Sequence, residues 1–395
     1  MSAIRPEILT WARETAGLSL DDAARAIDLK TARGETGAER LAKLEEGKVE
    51  PPRTLLEKMA KAYHRPLLVF YLRHPPEKGD RGQDFRTLPG KDRANPGLDA
   101  LIRDIKARQG LVRSILEDEE AEPPDFVGTA TIEMPAKELA SRIAKKFEIN
   151  LSEYRREKSA ELAFNYLRAK IEGAGVFVLL LGNLGSHHTN IPVEIFRGFV
   201  AADQLAPMIV INDQDVKAAW SFTALHELVH LWLGSTGISG TDTTDRIEQY
   251  CNDVAAEILL PVDDLETISN LSSFEAALKG IAAFAEQWRV SRSMVAYKLY
   301  RTGRIGHSTW SKLSGKFHDD FLSFKQEKSD RQKASEGGPN YYVVKRHRVG
   351  SALLGLVRRA LDDGNITYTK ASRVLGVKPR NVEPLLSSGM IRGRR

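Results

Sequence analysis

The stretch SFTALHELVHLWLG, residues 221–234, constrains this chain more than any other. His226 and His230 lie four residues apart, with Glu227 directly after the first, inside a run that is otherwise apolar. On an α-helix, positions i and i+4 share a face, so both imidazoles can reach one ion. Leu225, Leu228, Val229, Leu231, Trp232 and Leu233 make the helix apolar nearly all round, which predicts burial in a dry, low-dielectric setting. Two readings compete. A core helix can carry two hydrogen-bonded histidines with no further purpose. Alternatively, zinc (Zn2+) supplies the partner that buried imidazoles and a carboxylate would otherwise lack, and Glu227 is offset to reach a water as general base.

Catalytic zinc takes three protein ligands and keeps one position open, so a carboxylate on a second helix is expected downstream. DRIEQYCNDVAAEILLP offers two, Glu248 and Glu257. Glu248, Cys251, Asn252 and Ala255 share a helical face, and Asn252 is placed to orient a ligand as an outer partner, which favours Glu248. Cys251 reads as a small buried hydrophobe more readily than as a redox-sensitive ligand. His187 and His188, in the loop NLGSHHTN, are not counted as ligands. Tyr250 and Tyr297 are the candidate oxyanion donors, each with packing as the competing explanation.

At 395 residues, the chain exceeds what one hydrophobic core supports, so several domains are expected. A single cysteine excludes an internal disulfide and fits a reducing, cytoplasmic compartment. The longest apolar runs, Val176 to Leu181 and Pro66 to Leu72, are too short to span a bilayer, and no membrane partner is expected. The net charge of +5 permits nucleic-acid contact without requiring it.

Periodicity divides the chain into short helices over 6–72, a Pro/Gly-rich charged stretch over 74–97, and helical segments over 98–172. Three strand candidates follow, GVFVLLLG, EIFRGFVAAD and APMIVIND, and then helix again from the histidine motif to about 305. The polar segment 325–340 sets off a final helical unit with a basic tail. Domains are therefore expected at 1–75, 76–160, 161–305 and 306–395. In the last, ITYTKASRVLGVKPRNVEPLL has a helix-turn-helix-like rhythm, with Arg373, Lys378 and Arg380 as basic candidates. Nucleic-acid contact, dimerisation (a homodimer) and substrate docking all fit it. The strands around GFVAAD and MIVIND offer an edge on which an extended peptide could add.

FRGFVAAD, APMIVIN, WSFTALHELVHLWLG and EQYCNDVAAEILLP, in that order, closely resemble the ImmA/IrrE family of zinc metallopeptidases, which act with or on bacterial repressors. The resemblance implies His226 and His230 as metal ligands, Glu227 as general base, and Glu248 as third ligand through an E-x-x-A-N pattern that here carries Cys251 in place of alanine. RPLLVFYLRHPP and DFRTLP resemble the long subgroup in which an XRE-type helix-turn-helix precedes the peptidase, and WRVSRSMVAYKLYRTGRIG resembles its later helical segment. WARETAGLSLDDAARAI with LAKLEEGKVEPP is similar to XRE repressor domains, although LKTARGETGAER makes the loop between the helices longer than the usual turn. Lys30, Arg33, Arg40, Lys43 and Lys48 are the candidate DNA contacts.

The expected fold is thus multidomain and mainly α, with a small α+β zincin-like metallopeptidase core and an N-terminal helix-turn-helix bundle. The expected function is an XRE-type regulator fused to a zinc metalloendopeptidase that cleaves a partner repressor or toxin-system protein. The competing expectation is a DNA-binding antitoxin or autorepressor whose peptidase fold serves for protein binding.

Overall fold

A computed structural model of the chain describes residues 4–32, 34–76, 95–186, 189–234, 241–268, 271, 273–334 and 340–387. It is mostly helical, with one small sheet. Two compact units share the chain. Among the described residues, those within 4–76, 95–104 and 183–191 form the first, and those within 105–182 and 192–387 the second.

The first unit opens with α1 (Pro6–Glu14), α2 (Leu20–Ala26), α3 (Gly37–Glu45) and α4 (Arg53–Ala62), then a 3-10 turn at Leu67–Tyr71. The boundaries have local causes. Ser19 accepts from Asp22 N to start α2, and a reciprocal Thr36–Glu39 capping box starts α3. The helices close on Ile8, Leu9, Ile27, Leu41, Leu56, Met59, Tyr63 and Phe70. Arg13 grips both oxygens of Glu45 at 2.7 and 2.9 Å, tying α1 to α3.

Next comes α5 (Pro96–Asp118), which is divided between the units, and then α6 (Ala136–Lys146), α7 (Leu151–Arg156) and α8 (Ala160–Gly173) of the second. Three strands follow, β1 (Phe177–Leu180), β2 (Gly198–Ala201) and β3 (Met208–Ile211). The sheet order is β1-β3-β2, with β1 parallel and β2 antiparallel to β3. Alternation sorts its side chains. Val178, Leu180, Val200, Ile209 and Ile211 join the main core with Phe164, Leu167 and Leu228, and the intervening residues face the other way. Every residue of β1 and β3 is buried, so both faces are covered.

The remaining elements are α9 (Lys217–Leu233), α10 (Thr241–Leu259), α11 (Phe274–Trp288), α12 (Arg292–Arg301), α13 (His307–Ala334), α14 (Tyr341–Val349), α15 (Ser351–Asp362), α16 (Tyr368–Leu375) and α17 (Val382–Ser387). α9 packs against α8, α10, β2 and β3. At its C-terminus, Gly128 and Ala130 donate main-chain N–H bonds to Leu231 O and Trp232 O at 2.9 Å, so the end of this apolar helix is not left with unsatisfied carbonyls. No helix among the described residues is long and apolar enough to cross a membrane.

Candidate metal centre

α9 is buried because its sequence leaves it no polar face. Ala224, Leu225, Leu228, Val229 and Leu231 are inaccessible to solvent. His226 and His230 sit one turn apart on it, and α10 crosses alongside. His226 Nε2 lies 3.1 Å from His230 Nε2 and 3.1 Å from Glu248 Oε2, while His230 Nε2 lies 3.3 Å from Glu248 Oε1. The three donor groups converge within 4.8 Å. Tetrahedral bonds of about 2.0–2.2 Å would set donor atoms roughly 3.3–3.6 Å apart, so the cluster has the dimensions of three ligands to one ion. Two imidazole nitrogens and a carboxylate also match the donor types that zinc prefers.

Electrostatics point the same way. Burial opposes charge on Glu248, but bonds to both histidines hold its pKa well below the usual carboxylate range. Burial alone would lower His226, yet its hydrogen bond to the Glu248 carboxylate and the neighbouring charge of Glu227 raise it. Three ionisable groups are thus packed around a position that suits positive charge.

Glu227 is buried and, among the described residues, pairs with no lysine or arginine, and burial raises its pKa against the lowering influence of the two histidines. Its carboxylate rests against the main chain of β2. A Cβ added to Gly198 would lie 3.0 Å from Glu227 Oε1 and 2.5 Å from Thr223 Cγ2. Gly198 is a neighbour of Glu227 that sequence reasoning missed, and its one signal was a glycine inside a strand pattern. Main-chain bonds fix which way the strand faces. Asn212 N donates to Arg197 O at 2.8 Å, so the antiparallel alternation directs Phe199 and Ala201 toward β3 and turns the main-chain groups of Gly198 and Val200 to the outer edge. Val200 is buried, whereas Gly198 is half-exposed.

The other candidates separate clearly. Glu257 pairs with buried Lys298 at 2.5 Å and is not one of the converging groups. Asn252 lies close enough to His226 to help raise its pKa, but at the limit of hydrogen-bond geometry, since His226 Nδ1 is buried without a well-formed bond. Cys251 Sγ stands 3.7 Å from His230 Nδ1, a contact that the reading of Cys251 as a plain hydrophobe overlooked. The two tyrosines are committed elsewhere: Tyr250 donates to Met134 O at 2.8 Å and Tyr297 to Asp253 at 3.2 Å. His187 and His188 lie outside the described residues.

In the first unit, the candidate DNA contacts are largely engaged by their own surroundings. Arg40 donates to Lys30 O at 2.6 Å, Lys43 pairs with Glu35, and Lys48 pairs with Glu46 at 2.6 Å. Lys30 is exposed, and Arg33 lies outside the described residues. The hollow between α3 and α4 mixes Arg40, Lys43 and Lys58 with Glu35 and Glu50.

Residues 187–300 match the family model Peptidase_M78, described as an IrrE N-terminal-like domain. No curated protein and no solved structure matches the chain. The segment that carries β2, β3, the histidine pair and Glu248 is therefore the part of this chain that is similar to a known peptidase family.

Proposed function

We propose that the chain is a zinc-dependent endopeptidase, with His226, His230 and Glu248 as metal ligands and Glu227 as general base. The convergence of those three side chains from α9 and α10 carries the reading. A zinc ion held there supplies Lewis acidity toward a scissile carbonyl and toward water. Glu227 takes a proton from the attacking water and delivers it to the leaving amine. Its raised pKa suits both halves of that transfer, because a carboxylate closer to neutrality can accept a proton and release it. The outward main-chain groups at Gly198 align an extended substrate segment beside Glu227. Leu225, Leu228 and the rest of the α9 core exclude water from behind the site.

The natural substrate in this reading is a partner protein, a repressor or a toxin-system protein. The N-terminal bundle is an XRE-type helix-turn-helix that brings the peptidase to DNA, in a cytoplasmic regulator that acts as a homodimer. The similarity of segment 187–300 to a peptidase family supports the enzyme more strongly than a module that only binds protein.

Purified wild type is expected to hold one equivalent of zinc, and His226→Ala and Glu248→Ala to lose it. Glu227→Gln is expected to keep the metal and lose cleavage of a quenched fluorogenic peptide library. Full metal content in both ligand variants, or undiminished cleavage by Glu227→Gln, would overturn the assignment.

A further inference from the structure

The chain's positive charge is concentrated at one end. Residues 340–387 contain nine lysines and arginines against three aspartates and glutamates. That surplus of six exceeds the net charge of the whole chain, +5, so the remainder is on balance slightly acidic. The N-terminal bundle over 4–76, by contrast, has thirteen basic residues against eleven acidic ones.

Part of the C-terminal charge is consumed by the fold. Arg348 pairs with Asp213 at 2.6 Å, Arg359 reaches Glu119 at 3.5 Å, and Arg346 donates to Leu385 O at 2.6 Å. Of the six other cations, Lys345, Arg358 and Lys370 are half-buried and three are exposed. Arg373, Lys378 and Arg380 are exposed, and none makes an ion pair with another described residue. The nearby acid does not serve them, because Glu383 accepts from Tyr368 at 3.1 Å and from Ser387 at 2.8 Å.

Local structure sets all three on one short stretch. Thr367 caps α16, and Gly376, with φ +61°, ends it ahead of a 3-10 turn at Pro379–Asn381 that leads into α17. Ala371, Val374 and Leu375 of α16 are buried, as are Val382, Leu385 and Leu386 of α17. That arrangement leaves Arg373 on the outer side of the last turn of α16, with Lys378 and Arg380 in the connection. Two short helices joined by a glycine-started turn, with cations at the joint, form a helix-turn-helix arrangement suited to a polyanionic backbone.

We infer that this module is a nucleic-acid interface, and that Arg373, Lys378 and Arg380 hold its phosphate backbone. It is independent of the peptidase reading and separate from the N-terminal bundle. A copy of the same surface is a poor occupant, since two faces with this surplus repel one another.

The test uses the full chain and a short fluorescein-labelled DNA duplex of mixed sequence, with anisotropy titrations over a series of KCl concentrations. Substituting Arg373→Gln, Lys378→Gln and Arg380→Gln together is expected to weaken binding by about tenfold or more. The slope of log affinity against log salt should become shallower by about two to three, the loss of three phosphate contacts. Zinc content and melting temperature should stay at wild-type values, because the three side chains are exposed. Neutralising Arg40, Lys43 and Lys48 instead is expected to change the slope less. The inference fails if wild type does not bind the duplex, or if the triple variant binds with unchanged affinity and slope. It also fails if polyglutamate competes as well as DNA does, or if sedimentation shows that the triple variant only disrupts self-association.

Discussion

Cys251 Sγ lies 3.7 Å from His230 Nδ1, on the side of the ring opposite Glu248. With Nε2 given to the proposed metal, the proton of His230 would belong on Nδ1, and that N–H would donate to the sulfur. Burial pushes the Cys251 thiol well above its ordinary pKa, so the acceptor is a neutral and therefore weak one. Cys251→Ala should lower zinc affinity by about tenfold, the low end for loss of a partner behind a ligand. Cys251→Ser should retain more of it, because a hydroxyl can accept the same bond. Competition with a chromogenic chelator reads both; equal affinity in all three proteins would show that the sulfur only fills space.

Gly198 makes a prediction of a different kind, because it touches the proposed base and not the ligands. A Cβ there meets Thr223 Cγ2 at 2.5 Å and Glu227 Oε1 at 3.0 Å, both too close to accept without movement. Gly198→Ala should therefore keep its zinc and lose kcat, by about a hundredfold if Glu227 shifts by an ångström. Thr223→Ser removes the nearer obstacle and should restore part of the rate in the double variant. Unchanged kcat in Gly198→Ala would show that strand and helix can separate at no cost to the site.

These two positions mark what could and could not be read from sequence. The His226–His230 pairing is local, set by the pitch of a single helix, and its burial follows from the leucines around it. The three strands and the helical stretches were visible as changes of period. The choice between Glu248 and Glu257 already required a second helix, and rested on Asn252 lying one turn beyond Glu248. Cys251 against His230, Gly198 against Glu227 and the partners of Arg40 and Lys43 each join elements whose approach no periodicity encodes. A glutamate that holds a ligand position and one that neutralises a lysine look alike until the fold places them.

Glu257 illustrates this. Its carboxylate neutralises Lys298, whose side chain is only 6% exposed and also donates to Ala256 O at 3.2 Å. Burial lowers the pKa of Lys298 and Glu257 raises it again, so the ammonium depends on its partner. Glu257→Gln should cost about 3 kcal/mol of stability by leaving that charge uncompensated. Pairing it with Lys298→Met should recover much of the loss, since a buried ion pair is often replaceable by apolar side chains. Urea denaturation measures both effects. Zinc content should be unaffected in either protein, and loss of metal from Glu257→Gln would reopen the choice of third ligand.

A second buried pair should respond in the opposite way to the same treatment. Arg168 donates to Glu172 Oε1 at 3.0 Å, but both are also committed to main-chain groups. Glu172 Oε2 accepts from Ser351 N at 3.0 Å and Ala352 N at 3.2 Å, which caps the start of α15. Arg168 donates to the carbonyls of His347 and Val178, which binds the end of α14 to β1. The chain turns between those helices at Gly350, with φ +90°, where a Cβ would fall 2.2 Å from Glu172 Oε1 and 2.4 Å from an Arg168 nitrogen. Removing both charges would therefore leave buried N–H and carbonyl groups with no partner, each costing about 1–3 kcal/mol. Arg168→Met with Glu172→Leu should be at least as damaging as Glu172→Gln alone, and Gly350→Ala should destabilise the same junction. Trypsin should release a C-terminal fragment faster from all three variants while the zinc site stays loaded. Rescue by the double substitution, as expected for Lys298 and Glu257, would show that the helix ends do not depend on this pair.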